Sequence, residues 1–517
     1  MKTFLLGIML SIFTGILITL SFPTWGYSYL LFFALIPFFL ALHLSKNAKR
    51  PVILGLVFGC VAGFTTLLAG ESWVAFTMQE FGGFSKPLAI LVLILYCIVF
   101  GFSFGLFGAL ISWLKVKSKT SHLILYPIVY TSIEFLYPQL FPWYLGGSLY
   151  KKITFIQFVD ITGMSGLTFY IVLINILFLK IAFSVYKPDK YRFPITGTFC
   201  AIFLSFAFFI YGHWRIINVQ KHLDIAEPVS FSLVQTNVGN FEKSIETKSN
   251  LSVIAQVTRR NFHMAKMAAL QFKSDMIVLP ETAVPGSLNV NDKAKFEMST
   301  LAQELKTNLY FGGYAEEERN IFNSAYYLNQ NGEIQGRYDK VYLLMFGEFF
   351  PFSHTFPFLK DFIKEVSDFT AGTSIKNFPL KNEFLGPLIC YEDIIPSFVR
   401  RIVKNGATIL LNLANNSWFG ESACPYQHLA LSVFRSVENK VPLIRCTNTG
   451  ISAFIDATGK IDRTSHLSKP EILNGEVKSP HIRTIYSEVG SVFSIMCSLF
   501  LGWIIFKSFH FKNRSGD

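Results

Sequence analysis

Cys390 is the residue with the most chemistry to offer. It closes the apolar run Leu385, Gly386, Pro387, Leu388, Ile389 and is followed by Tyr391, Glu392 and Asp393. The chain therefore turns from a buried strand toward polar residues where the thiol stands. A strand end positions a nucleophile rigidly, and backbone N–H groups just beyond it point at a developing oxyanion. A lone cysteine is more often a small buried hydrophobe, but two further elements shift that balance. Val278, Leu279 and Pro280 lead to Glu281, a carboxylate set past a proline that cannot continue a central ladder. Arg337, Tyr338 and Asp339 lead to Lys340, with Glu348 further on among Phe346, Phe349 and Phe350. A loop glutamate is ordinarily solvated and a lysine ordinarily pairs at the surface, yet charge among aromatic residues is costly unless paired. A thiol placed as a nucleophile, a carboxylate of the kind that serves as a general base, and a lysine and a second glutamate set among aromatic residues form a candidate catalytic set.

Together these elements resemble the nitrilase superfamily, with its Glu, Lys, Cys order at successive strand ends and a second Glu after the Lys. The whole chain resembles the apolipoprotein N-acyltransferase family. Supporting stretches are Phe141, Pro142, Trp143 with Gly146; Val234, Gln235, Thr236, Asn237; Asn415 to Gly420 with Gln427 and His428; and Arg445 to Gly450. Thr449 and Asn416 stand where that family often has Asn and Asp. The resemblance implies a nitrilase-like αββα sandwich, with Glu281 as base, Cys390 as nucleophile and Lys340 at the oxyanion. It implies that Glu348 positions Lys340 or the incoming amine, and that Tyr391 and Glu392 line the elbow. It further implies two half-reactions. A phospholipid, commonly phosphatidylethanolamine, acylates Cys390 and leaves as lysophospholipid; the terminal amine of a diacylglyceryl-modified apolipoprotein then collects the chain. With water in place of the amine, the same set would serve a membrane-tethered nitrilase-like amidase.

The elements that hold this set lie in two solvents. Of 517 residues, 51% are hydrophobic and 15% charged, far from the balance of a soluble protein. The stretch from Ser230 to Thr484 nevertheless reads as water-soluble. Seven apolar runs long enough to cross a bilayer precede it: Phe4–Phe22, Tyr27–Leu44, Val52–Trp73, Leu88–Leu114, Leu123–Leu140, Leu167–Val185 and Phe193–Trp214. An eighth, Val489–Phe506, follows. The first exits through Ser21, Phe22, Pro23, Thr24, Trp25 without a small-residue cleavage pattern, so it reads as a retained span. The expected organisation is a seven-helix membrane domain over 1–214, a catalytic domain over 215–487, and a last span with its tail over 488–517.

The net charge of +12 raises the question of nucleic acid, but the basic residues outside the soluble stretch fall in short loops, and membrane topology accounts for them. Lys2; Lys46, Lys49, Arg50; Lys115, Lys117, Lys119; Lys187, Lys190, Arg192; and Lys507, Lys512, Arg514 share one side if every run spans. That side is cytoplasmic by the positive-inside rule, which puts the soluble domain in the periplasm of a bacterial inner membrane. A transporter is disfavoured, because the runs hold few charges and no paired broken-helix pattern.

Within the soluble stretch, short β-branched runs predict strands at 229–234, 276–279, 309–314, 325–328, 387–391, 408–413, 443–447 and 452–456. Helical spacing predicts helices at 254–272, 294–306, 397–405 and 426–439. The class is α/β with buried sheets. Phe346, Phe349, Phe350, Phe352, Phe356 and Phe358 form an aromatic stretch that either packs inside the domain or dips into the bilayer surface. Glu134 falls inside the fifth run and must face protein or water. His428 reads as a satisfied structural histidine, and Cys424 and Cys446 as packing residues. The spacing suggests no metal-ligand cluster and the set needs no cofactor.

Overall fold

A bilayer core takes about 20 helical residues to cross. Among the described residues of the computed structural model, six helices are long and apolar enough by length and composition: Lys2–Ser21, Pro51–Gly70, Lys86–Lys117, Met164–Tyr186, Ile195–Ile225 and Val492–Phe509. The structure describes residues 1–239, 251–318, 320–349 and 368–510, and the side chains of 251–255 and 510 are excluded. The chain forms two compact units. One comprises Met1–Ala75, Pro87–Ile216 and Val489–Asp517; the other comprises Phe76–Lys86 and Ile217–Glu488.

Two apolar runs give shorter helices than their hydropathy suggests. The second is broken into Ser28–Leu30, Leu31–Ala34 and Ile36–Leu44. Pro37, at the start of the last piece, has no N–H to donate back along the helix. Asn175 splints the break. It accepts the Leu35 N–H at 2.9 Å and donates to the Leu31 carbonyl at 2.7 Å, while Thr14 accepts the Phe38 N–H at 3.0 Å. Backbone groups freed inside an apolar medium need such partners. The fifth run is helical over His122–Leu136, and Pro138 follows its end.

In the same unit the helices Pro51–Gly70 and Lys86–Lys117 meet along glycines. A Cβ on Gly55, Gly59 or Gly63 would overlap backbone atoms of Gly108, Phe104 or Gly101 respectively. Small residues four apart let two helices approach to backbone contact, which is how apolar helices gain packing energy where there is no hydrophobic drive.

Among the described residues, the second unit has thirteen strands. β1 (Val229–Gln235), β2 (Met276–Val278), β3 (Val284–Ser287), β4 (Asn308–Glu317), β5 (Asn320–Leu328) and β6 (Ile334–Asp339) form one sheet, which β13 (Glu471–Val477) completes; the order is β13-β1-β2-β4-β5-β6, with β3 on β4. β7 (Phe378–Leu380), β8 (Glu383–Ile389), β9 (Ile409–Ala414), β10 (Leu443–Thr447), β11 (Ala453–Ile455) and β12 (Ile461–Thr464) form the other, in the order β12-β11-β10-β9-β8-β7.

The sheets face one another: the Cys446 thiol of β10 reaches the Val278 carbonyl of β2 at 3.3 Å. Outside the first sheet lie the helices Leu251–Gln271 and Asp292–Leu305, whose Ala265, Ala268, Met298 and Leu301 join a core with Ile277, Leu309 and Phe311. Outside the second lie Pro396–Lys404 and Cys424–Asn439. This is the αββα sandwich expected from the sequence. The central strands are parallel within each sheet, β1–β2–β4 and β8–β9–β10. β6, two antiparallel steps from β4, therefore also runs with β2.

Candidate active site

Parallel central strands bring carboxyl ends to a common edge, the usual place for a site in an α/β sheet. Glu281 follows β2, Lys340 follows β6, Cys390 follows β8 and Asn415 follows β9. The chain past β2 lies against β4: a Cβ on Gly312 would strike the backbone of Glu281 and Thr282, so only glycine lets the strand approach. The Gly312 N–H donates to the Pro280 carbonyl at 3.1 Å and fixes the loop.

The Glu281 carboxylate is buried and doubly held. One oxygen accepts the Asn323 side-chain amide at 2.7 Å, and the other accepts the Asn415 N–H at 2.7 Å. Lys340, only 1% exposed, sits 3.8 Å from Glu281 and 2.7 Å from Glu348. Asn323 also donates to Glu348 at 2.9 Å, and Glu348 accepts the Leu344 N–H at 2.8 Å. Two carboxylates therefore share one ammonium and one amide. Burial alone would lower the Lys340 pKa, but Glu348 and then Glu281 outweigh it, so the ammonium stays charged. Burial raises the Glu281 carboxyl above its usual range; Lys340 opposes this and Glu348 adds to it.

Cys390 opens the turn Cys390–Ile394 with φ +52, a left-handed conformation unusual for a side-chain-bearing residue. Such local strain recurs where a nucleophile is aimed out of a strand end. Its thiol is pushed well above the usual range, first by burial and then by Glu281, while Lys340 draws it back. The resting thiol is therefore protonated and needs a base at the moment of attack.

Glu392, two residues beyond Cys390, is fully buried at the elbow. It accepts the N–H groups of Ile389 at 2.8 Å, Val341 at 2.7 Å and Tyr342 at 3.0 Å, together with the Tyr338 hydroxyl. One carboxylate thus clamps the chain on both sides of Lys340 to the strand end that carries Cys390. Burial pushes its pKa up to about 7 against these donors. Tyr391 is half-buried, and burial pushes its hydroxyl up to about 12.

Sequence reasoning did not single out Asn323, Asp393 or the pairing of Arg445. A readable signal for Asn323 is a polar pair, Asn323–Ser324, inside an otherwise apolar strand. Asp393 is fully buried and accepts from His428 at 2.7 Å, Ser432 at 2.9 Å, Asn412 and Arg445. Burial alone would raise its carboxyl; Arg445 and then His428 hold it below its usual range. Asn412 also donates to the Cys390 carbonyl at 3.3 Å, so this network supports the elbow from below.

The segment Phe76–Lys86, which reads in sequence as a mere inter-span loop, belongs to this unit. The Thr77 hydroxyl donates to the Trp418 carbonyl at 3.0 Å, and the Phe81 and Trp418 rings lie 4.4 Å apart. Trp418 sits in the turn that follows Asn415. Of the aromatic stretch, Phe346 and Phe349 are described, and Phe346 is 41% exposed; Phe350, Phe352, Phe356 and Phe358 lie outside the described residues.

Residues 231–486 match the carbon–nitrogen hydrolase family, and residues 14–177 match the apolipoprotein N-acyltransferase N-terminal domain. Among similar proteins is the apolipoprotein N-acyltransferase of Geobacter metallireducens, 31% identical over 505 residues and covering 95% of this chain and 92% of that one. That of Haemophilus influenzae is 27% identical, covering 94% and 91% respectively. Among solved structures, Saccharomyces cerevisiae Nit3, a member of branch 10 of the nitrilase superfamily, is similar at a TM-score of 0.38 and 18% identity over 49% of this chain and 90% of that one.

Proposed function

Because the chain belongs to the apolipoprotein N-acyltransferase family, we propose that Cys390 carries an acyl group from a membrane phospholipid to the N-terminal amine of a diacylglyceryl-cysteine lipoprotein. The enzyme is a multi-span N-acyltransferase with a nitrilase-like catalytic unit. The observation that carries the assignment of the site is the sharing of one buried ammonium, Lys340, by Glu281 and Glu348 beside the strained Cys390 elbow.

In the first half-reaction Glu281 takes the thiol proton as the sulfur attacks the ester carbonyl. Lys340 and the backbone N–H at Tyr391 hold the oxyanion, where a preorganised donor is worth about 3 kcal/mol. The tetrahedral centre collapses, the ester C–O bond breaks, and Glu281 returns the proton to the departing lysophospholipid hydroxyl. In the second, the neutral lipoprotein amine attacks the thioester, Glu281 takes its proton and passes it to the departing sulfur as the C–S bond breaks, giving an amide and the restored thiol. Glu348 positions Lys340; Glu392 holds the elbow and the Lys340 chain in register; Tyr391 shapes the turn. Phosphatidylethanolamine is the proposed donor. The proposed setting is the bacterial inner membrane with the catalytic unit periplasmic, within a 1–214, 215–487 and 488–517 organisation.

The test supplies phospholipid without acceptor to the purified protein. A hydroxylamine-sensitive acyl adduct on the Cys390 peptide should build up with matching release of lysophospholipid, and a diacylglyceryl-cysteine peptide should discharge it. Cys390→Ala should form no adduct. An adduct on Cys424 or Cys446, or acyl transfer by Cys390→Ala, would overturn the assignment; discharge by water alone at the rate seen with peptide would make the enzyme a hydrolase rather than a transferase.

A further inference from the structure

The membrane unit encloses a cavity of about 410 Å³ unrelated to the catalytic set. Lys46, Lys115, Lys180, His43 and His122 line it, and no carboxylate does among the described residues. Basic residues flanking membrane spans ordinarily sit in solvated loops. Lys46 is exposed in that way, but Lys115 and Lys180 are half-buried within the helices Lys86–Lys117 and Met164–Tyr186. The Lys115 ammonium lies 5.1 Å from the centroid of the Tyr126 ring, and His43 bonds the Tyr191 hydroxyl at 3.2 Å. Cations held beside one cavity without counter-charges invite an anion. Phe39, Val116, Ile176, Leu179 and Phe183 give the wall an apolar stretch beside Asn47, Tyr126 and Tyr191, which fits an occupant carrying both negative charge and hydrocarbon. The volume lies in the range of ligand pockets.

We propose that this cavity binds the phosphate headgroup of an anionic glycerophospholipid, its lysines holding the phosphate and its apolar wall the adjoining hydrocarbon. Basic pockets between membrane helices take such headgroups by the same chemistry. The site is separate from acyl transfer, and its failure leaves the Cys390 chemistry standing.

Native mass spectrometry of the full chain tests it, with dioleoylphosphatidylglycerol, tetraoleoyl cardiolipin, dioleoylphosphatidylcholine and inorganic phosphate offered at equal concentration. The anionic lipids should be retained at least about tenfold over phosphatidylcholine. Lys46→Gln/Lys115→Gln/Lys180→Gln should cut that retention by at least about tenfold, since each lysine near a phosphate contributes several-fold. Lys49→Gln/Lys119→Gln removes neighbouring loop cations outside the cavity and should leave retention unchanged; an equal loss there would mean diffuse surface attraction and overturn the site. Equal retention of phosphatidylcholine would overturn it as well. Lysine-dependent binding of inorganic phosphate without lipid retention would assign the cavity to a soluble phosphate instead. If the triple variant fails to fold, Lys115→Gln alone should still lower retention, and an unchanged value would sink the proposal.

Discussion

Tyr338 gives its hydroxyl to both carboxylate oxygens of Glu392, at 2.8 and 2.9 Å. The contact joins the strand that leads to Lys340 to the turn that begins at Cys390, so the ammonium and the thiol are registered by one buried carboxylate. In Glu392→Gln an amide N–H₂ must face backbone N–H groups that now point at oxygen, and a buried donor left unmatched costs about 1–3 kcal/mol. Acylation of Cys390 should fall at least about tenfold in Glu392→Gln, and by no more than a few-fold in Tyr338→Phe, which leaves three backbone donors in place. Single-turnover adduct formation measures both, and equal rates for wild type and Glu392→Gln would remove the clamp from the mechanism.

Lys340→Met keeps much of the side-chain volume and deletes the charge. Loss of one oxyanion donor should lower acyl transfer roughly a hundredfold or more. Turnover within a few-fold of wild type would make Lys340 a structural residue.

The pH dependence follows from Glu281. A general base works unprotonated, and burial raises this carboxyl above its usual range, so acylation should rise with pH through an apparent pKa higher than that of a solvated glutamate and then level off. Asn323→Leu removes the donor shared by Glu281 and Glu348. The charged form then loses support, and the rising limb should move to still higher pH. A rising limb left where it was would show that Asn323 does not tune the base.

Arg445 neutralises Asp393 below the elbow, with both side chains almost fully buried. Breaking a buried pair from one side costs about 3–5 kcal/mol, whereas removing both charges costs far less. Arg445→Met should therefore lower the melting temperature of the purified protein, and Asp393→Leu/Arg445→Met should recover part of the loss. A double variant less stable than Arg445→Met would contradict this account.

A reporter active only outside the cytoplasm, inserted within Asn289–Lys293 beside the exposed Val290, should give signal if the loop charges set the orientation. Reporter activity confined to the cytoplasm would reverse the proposed topology.

The sequence showed the interior of the catalytic fold more clearly than its margins. The run Leu443–Thr447 matches β10 residue for residue, and the other predicted strands overlap central or near-central ones. The unpredicted strands β6, β7, β12 and β13 are the terminal strands of the two sheets, and β3 lies off the main path. An edge strand is wet along one side, so its apolar alternation is diluted, as in Ile334–Asp339, where only Tyr338 is buried. Glu281 and Cys390 were legible because each stands at an apolar strand end, whereas Lys340 follows the polar strand Ile334–Asp339 and was legible from charge set among aromatic residues. Asn323 and Asp393 were not, because a polar side chain facing inward looks the same in sequence as one facing water. Hydropathy likewise overstated the Tyr27–Leu44 run, since it carries no penalty for the helix break that Asn175 repairs.

The glycine seam between Pro51–Gly70 and Lys86–Lys117 bears on how this chain can diverge. Lipid-facing positions on the second helix, such as Ile90, Leu91 and Leu95, are exposed and can exchange one apolar side chain for another with little effect. At Gly55, Gly59 and Gly63 even one added methyl group meets opposing backbone, which no rotamer change can move aside. Mutational drift in this helix pair should therefore run along the outer faces and stall at the seam, leaving a stripe of invariant glycines through otherwise freely changing text.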